Sequence, residues 1–163
     1  MGRPYFIAFM LLVASCASGS TKVATAPSKL YKSETIAFSR DKNDLLLVDD
    51  DVQNRFVQSL SKELYEKGRF KPGDGLKLVY RFVEFHKGNR AARYLAGPFG
   101  GGKARFEIEA TFYDSKGGEL SKVKSSSQLK IGFFGGSYGQ AIDKMAMEIA
   151  SFAASQYGEG GSS

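Results

Sequence analysis

The stretch ARFEIEATFY, residues 104–113, decides the fold class. Phe106, Ile108, Ala110 and Phe112 fall on one side of it, and Arg105, Glu107, Glu109 and Thr111 on the other. Successive side chains of a strand point to opposite faces, so this period of two predicts a strand with one packed and one wet face, the habit of an antiparallel sheet. Working outward, Asp114 to Gly118 (DSKGG) predicts a hairpin turn with glycine available for positive φ. Residues 119–131 predict a further strand, more polar and therefore nearer an edge. On the other side, Leu76, Leu78, Tyr80 and Phe82 alternate with Lys77, Val79, Arg81 and Val83, which predicts a strand over 76–86 after the turn cluster 71–75.

Two helical patterns flank these strands. Val52, Phe56, Leu60 and Leu64 recur every four residues after Asp49, Asp50 and Asp51, predicting a helix over about 51–67 that Gly68 ends. Ile142, Met145, Ala146, Ile149, Phe152 and Ala153 predict a closing helix after a Gly-rich loop at 132–139. Leu30, Ile36 and Phe38 suggest a first strand over 29–38, and Gly158 to Ser163 a disordered tail. The expected architecture is one α+β domain, residues 29–157, in the order β-α-β-β-β-α. Its sheet is mostly antiparallel, with both helices on one face.

The first 28 residues read differently. One cation, Arg3, precedes a short apolar run, Tyr5 to Val13, which is below the roughly 20 residues needed to span a bilayer and suits a signal-peptide core. Val13, Ala14 and Ser15 then lead into Cys16, the only cysteine. That order resembles a bacterial lipoprotein precursor: residues 1–15 would be removed and Cys16 would carry a diacylglyceryl group and a further acyl chain such as palmitate. Acyl chains contribute about 0.8 kcal/mol per buried methylene, so two or more make anchoring stable. Ala17 follows, and by resemblance to enterobacterial lipoproteins a residue other than Asp there favours the outer membrane, facing the periplasm. Residues 16–28 are small and polar after the cysteine, and their composition suggests a flexible tether.

Loss of residues 1–15 leaves 148, with a 42% apolar and 25% charged composition typical of a folded domain. The net charge of +6 becomes +5 without Arg3. In a cell envelope such an excess suits lipid headgroups or lipopolysaccharide and makes nucleic acid an unsuitable partner. A lipidated Cys16 leaves no thiol for a disulfide, a metal or a nucleophile.

Three motifs carry residue types suited to chemistry. Gly97 to Lys103 (GPFGGGK) has phosphate-loop spacing, but Ala104 stands where a hydroxyl should hold magnesium, and a strand pattern follows instead of a helix. Gly135-Gly136-Ser137-Tyr138-Gly139 matches a nucleophile elbow, yet the only histidine, His86, precedes Ser137. Capping of the closing helix is the simpler use for Ser137, with a small serine hydrolase as the rival. The third, His86 to Arg93 (HKGNRAAR), holds Lys87, Arg90 and Arg93 and no carboxylate, which makes it a candidate contact for an anion or a protein partner. The aspartate triplet 49–51 suits a helix start better than a metal site, and neither metal nor cofactor is expected.

Gly88-Asn89-Arg90, Arg93, Gly97, the glycine triplet 100–102, Tyr113-Asp114, Lys116-Gly117-Gly118 and Phe133-Phe134-Gly135-Gly136 together resemble the bacterial lipoprotein family catalogued as domain of unknown function 4410 (DUF4410). Pro98 departs from that pattern, where a small residue is expected. The resemblance implies a lipid-anchored envelope protein with an α+β domain and supplies no catalytic residues. A non-enzymatic module that binds a partner protein or an anionic envelope component is therefore the expected function, with a structural subunit of an envelope assembly as a further alternative.

Overall fold

The computed structural model describes residues 18–26, 30–67, 69–86, 104–129 and 138–159. The strands are β1 (Ser18–Thr25), β2 (Thr35–Arg40), β3 (Lys71–Pro72), β4 (Leu76–His86), β5 (Ala104–Tyr113) and β6 (Glu119–Leu129). The helices are α1 (Asp50–Ser61), continued by a π-helical turn Lys62–Glu66, and α2 (Tyr138–Tyr157). One sheet holds all six strands in the order β1-β6-β5-β4-β2-β3.

β4, β5 and β6 form the expected antiparallel meander, with Tyr80 opposite Ala110 and Ala110 opposite Val123. Gly117, at φ 84°, supplies the left-handed residue of the β5–β6 hairpin, where Asp114 also accepts from the Lys116 and Gly118 amides. β2 runs parallel to β4, so α1 lies on the crossover between them. Both helices cover one face, as expected. Phe56 of α1 meets Tyr80 and Phe82 edge-on, while Phe152 and Tyr157 of α2 lie against Phe112.

The stripe on α1 explains its π turn. At about 100° per residue a four-residue step overshoots a full turn by about 40°, so Val52, Phe56, Leu60 and Leu64 would drift off the buried side. A wider turn at Lys62–Glu66 turns the helix back, and all four residues are buried. On β4 a bulge at Val83 shifts the alternation, so Phe82 and Phe85 both face the helices, Phe85 against Phe106.

The structure departs from expectation at several places. Ser18–Thr25, read as tether, is strand β1, paired antiparallel with β6 from Ser18 opposite Gln128 to Thr25 opposite Lys122. Backbone pairing needs no apolar side chains, and composition therefore hid it. β6 consequently lies one strand in from the edge, near it as its polarity suggested but covered by β1. Ser121, Ser125 and Ser127 are buried on its helix-facing side, where Ser125 donates to Glu148 and Tyr157 donates to Ser121. The first strand of the expected order begins at Thr35 instead of residue 29; Leu30 is fully exposed and Ser33 makes only an isolated bridge, to Gly158. That bridge also removes Gly158 from the expected tail, since Gly158 is buried and accepts from Lys32 Nζ. Residues 160–163 of that tail lie outside the described residues.

The connection from β2 to α1 is tied by one carboxylate. Asp44 accepts from Arg40 Nε at 2.8 Å, the Phe82 amide at 2.9 Å and the Leu46 amide at 3.0 Å. Arg40 also donates to the Leu46 carbonyl and to Gln53, and its guanidinium lies over the Phe82 ring. Burial pushes the Asp44 pKa up, but the Arg40 hydrogen bond and the two amides outweigh it and hold it below the ordinary value of 3.8.

The face of the sheet away from the helices is a charge lattice. Glu109, 5% exposed, lies between Arg81 of β4, at 2.7 Å, and Lys122 and Lys124 of β6, each at 3.7 Å. Glu107 takes a second contact from Lys124 at 3.3 Å. Opposite charges in register across strands support the sheet, and removing the shared acid leaves three cations facing one another.

Two outcomes are expected. Glu109→Ala should lower unfolding stability by about 1.5–3 kcal/mol, and Glu107→Ala, at a more exposed site, by no more than about 1 kcal/mol; urea denaturation measures both, and equal losses would contradict the lattice. Because its folded pKa is depressed, Asp44 contributes stability that is present above 3.8 and lost as pH falls through the lower folded value. The urea midpoint of Asp44→Asn should therefore fall less steeply than that of the parent between about pH 5 and pH 2, and parallel curves would contradict this.

Candidate functional site

Two regions of the described surface bring charged side chains together in a way that bears on binding. The first is a groove of about 520 Å³ between the helices, lined by Arg55, Ser59, Lys62, Glu63, Lys67 and Asp143. The four-residue stripe that buries Phe56 and Leu60 turns Arg55 and Ser59 toward α2. Arg55 forks onto Asp143, Nε to Oδ1 at 3.0 Å and Nη2 to Oδ2 at 2.7 Å, and Ser59 donates to Oδ1 at 2.6 Å. The Arg55 hydrogen bond holds the Asp143 carboxyl below the usual aspartate range. Further along, Arg69 donates to Ser151 and contacts Glu63, which also takes Lys67. The guanidinium that an anionic ligand would need is thus engaged by a carboxylate. Chemically this groove is a clamp between α1 and α2; a half-exposed pair of this kind contributes about 0.2–1 kcal/mol.

The second region is the end of the sheet where β4 finishes. His86, exposed, lies opposite Arg105 of β5, and Arg105 lies opposite Gln128 of β6. Arg105 is exposed and reaches Glu84 only at 4.0 Å. Tyr138, the first residue of α2, packs edge-on against Phe106 just inside this end. Asp44 fastens the β2–α1 connection to Phe82, in the same half of the sheet. Leu46 of that connection is partly buried against the core, while its neighbours Leu45 and Leu47 are 89% and 92% exposed.

Of the residues singled out from sequence, His86 and Tyr138 stand at this sheet end. Val13, Ala14, Ser15, Cys16, Lys87, Arg90, Arg93, Ser137, the Gly97–Lys103 motif, Phe133 and Phe134 lie outside the described residues. Asp50 and Asp51 occupy the first turn of α1, in keeping with a helix start. The described residues gather no group of three potential metal ligands, and none of their helices is long and apolar enough to cross a membrane. Sequence reading missed Arg40, Asp44, Arg55 and Asp143. Arg55 and Asp143 are 88 positions apart and carry no mutual signal. Asp44 follows Arg40 by four residues but outside any helical pattern.

Solved structures resemble this chain to differing degrees. A PelC dodecamer from Paraburkholderia phytofirmans superposes with a TM-score of 0.53 at 8% identity, covering 86% of this chain and 99% of that one. A single-residue variant of it gives 0.51 at 12% identity, covering 86% and 98%. A minor lipoprotein from Acinetobacter baumannii gives 0.42 at 11% identity, covering 75% and 93%. At these identities the PelC match shows a shared fold. No curated protein matches the sequence. The profile of the family described as a domain of unknown function, DUF4410, matches residues 20–134, from within β1 to beyond β6. That span exceeds half of the chain, and the protein belongs to the DUF4410 family.

Proposed function

We propose that this protein is a lipid-anchored cell-envelope lipoprotein that acts as a non-enzymatic binding or assembly module, held at the outer membrane and facing the periplasm. The observation that carries the reading is Cys16 placed directly after Val13-Ala14-Ser15 at the end of a short apolar run. Acyl chains on that sulfur give stable anchoring without a spanning helix. An assembly role draws support from the PelC dodecamer, whose fold this chain shares over nearly the whole of that subunit. Lys87, Arg90 and Arg93, following directly on the His86 end of β4, are the proposed contacts for an anionic envelope component or a protein partner.

Cys16→Ala should abolish the acyl mass and move the protein from the membrane to the soluble fraction. Unchanged membrane fractionation of that variant would contradict lipid anchoring. Reversing charge at Arg90 and Arg93 should reduce retention on lipopolysaccharide or crosslinking in the native envelope, whereas an unchanged profile would remove those residues from the reading. Native mass analysis of the detergent-extracted protein tests assembly: a multimer supports a subunit role, and a monomer leaves partner binding alone.

A further inference from the structure

Only Ala17 separates Cys16 from the first residue of β1. Two residues of fully extended chain reach at most about 7 Å. A lipid on Cys16 is therefore confined close to Ser18, in contrast to the roughly 20 Å that a twelve-residue tether would average. Ser18 lies opposite Gln128, Gln128 opposite Arg105, and Arg105 opposite His86, so this row is one end of the sheet. The Asp114–Gly118 hairpin is at the other end, about 30 Å away along β5 at about 3.4 Å per residue.

The described chemistry at the Ser18 end suits a lipid surface. Arg105 and His86 are exposed there. Leu45 and Leu47 are exposed in the same half, on a connection that Asp44 holds to Phe82. Single exposed leucines are ordinary. Two of them on one fastened connection, in the half of the sheet that also exposes Arg105, match what the boundary between headgroups and acyl chains accepts. The segments that link β4 to β5 and β6 to α2 start from this end. In sequence they hold Lys87, Arg90, Arg93, Lys103 and Lys130 and no carboxylate.

We propose that the sheet end formed by Ser18, Gln128, Arg105 and His86, together with Leu45 and Leu47, is seated on an anionic lipid surface, with the Asp114–Gly118 hairpin directed away from it. This orientation rests on the lipid anchor of the preceding section. β1 sets it, because pairing with β6 converts the expected slack leash into a fixed attachment at one end of the sheet.

The test uses the full-length, lipid-bearing protein in vesicles of phosphatidylethanolamine and phosphatidylglycerol. Four variants, Leu45→Cys, Arg105→Cys, Leu30→Cys and Lys116→Cys, each carry a bimane probe, and headgroup-nitroxide lipid is the quencher. Leu30, 99% exposed, precedes Tyr31, which bonds to the Gly75 carbonyl in the hairpin half, so it separates position from apolar character. Quenching at 45 and 105 should exceed that at 30 and 116 by at least about threefold, since 105 and the hairpin holding 116 lie about 30 Å apart along β5. Equal quenching at all four sites, or stronger quenching at 30 and 116, with the acyl mass on Cys16 intact, overturns the orientation and leaves the anchor standing. An intact mass without acyl chains overturns both.

Discussion

β5 must satisfy two unlike environments at once, and the remaining elements are arranged to meet that demand. Its Phe106, Ile108, Ala110 and Phe112 side is buried under both helices, and its Glu109 side is desolvated by neighbouring strands. The apolar side gains from burial at roughly 25 cal/mol per Å² whatever covers it. The acidic side is selective, since a carboxylate 5% exposed needs partners at fixed positions. Arg81 on one neighbour and Lys122 and Lys124 on the other supply them. A slip of one residue in either pairing would exchange the two faces, so the lattice and the core impose the same register.

The helices follow from the same constraint. Phe56 enters between Tyr80 and Phe82, and Phe152 and Tyr157 close over Phe112, which leaves the meander one covered face. The charged pairs between and beside the helices, Arg55 with Asp143 and Arg40 with Asp44, hold positions that burial has already chosen. Both edges of the sheet are blunted. β3 is two residues long and ends in Pro72, and β1 carries Lys22 and a bulge between Val23 and Thr25. Such features discourage pairing with a further strand.

What was legible in the sequence is what apolar periodicity writes. The α1 stripe, β4, β5 and the α2 face all appear where apolar residues recur at 2 or near 3.6, and the DSKGG hairpin between β5 and β6 was legible from its turn residues. β1 was not legible because Ser, Gly, Ala and Thr read as linker by composition, while the bonds that hold it are backbone to backbone. The serines of β6 read as polar, which suits a strand near an edge but gives no sign that β1 covers it. Small hydroxyls there face α2, where Tyr157 and Glu148 take two of them. Of the candidate site, His86 was legible as the end of β4, whereas Cys16 lies outside the described residues. The leucine pair at 45 and 47 was not, because exposure on a loop leaves no periodic trace.

The pairing of β1 with β6 carries more consequence than its eight residues suggest, because it decides whether Cys16 is tied to the sheet or loosely strung from it. The family match begins at Ser20, inside this strand, so the strand belongs to the family's domain and is not an appended leader. Amide hydrogen exchange on the full-length protein addresses the pairing directly, since hydrogen-bonded strand amides exchange slowly and linker amides do not. The β1 amides directed at β6 should exchange at least about a hundredfold more slowly than an unstructured peptide of the same sequence. Exchange of the whole Ser18–Thr25 segment at the unstructured rate, with β4 to β6 protected, would contradict the fixed attachment.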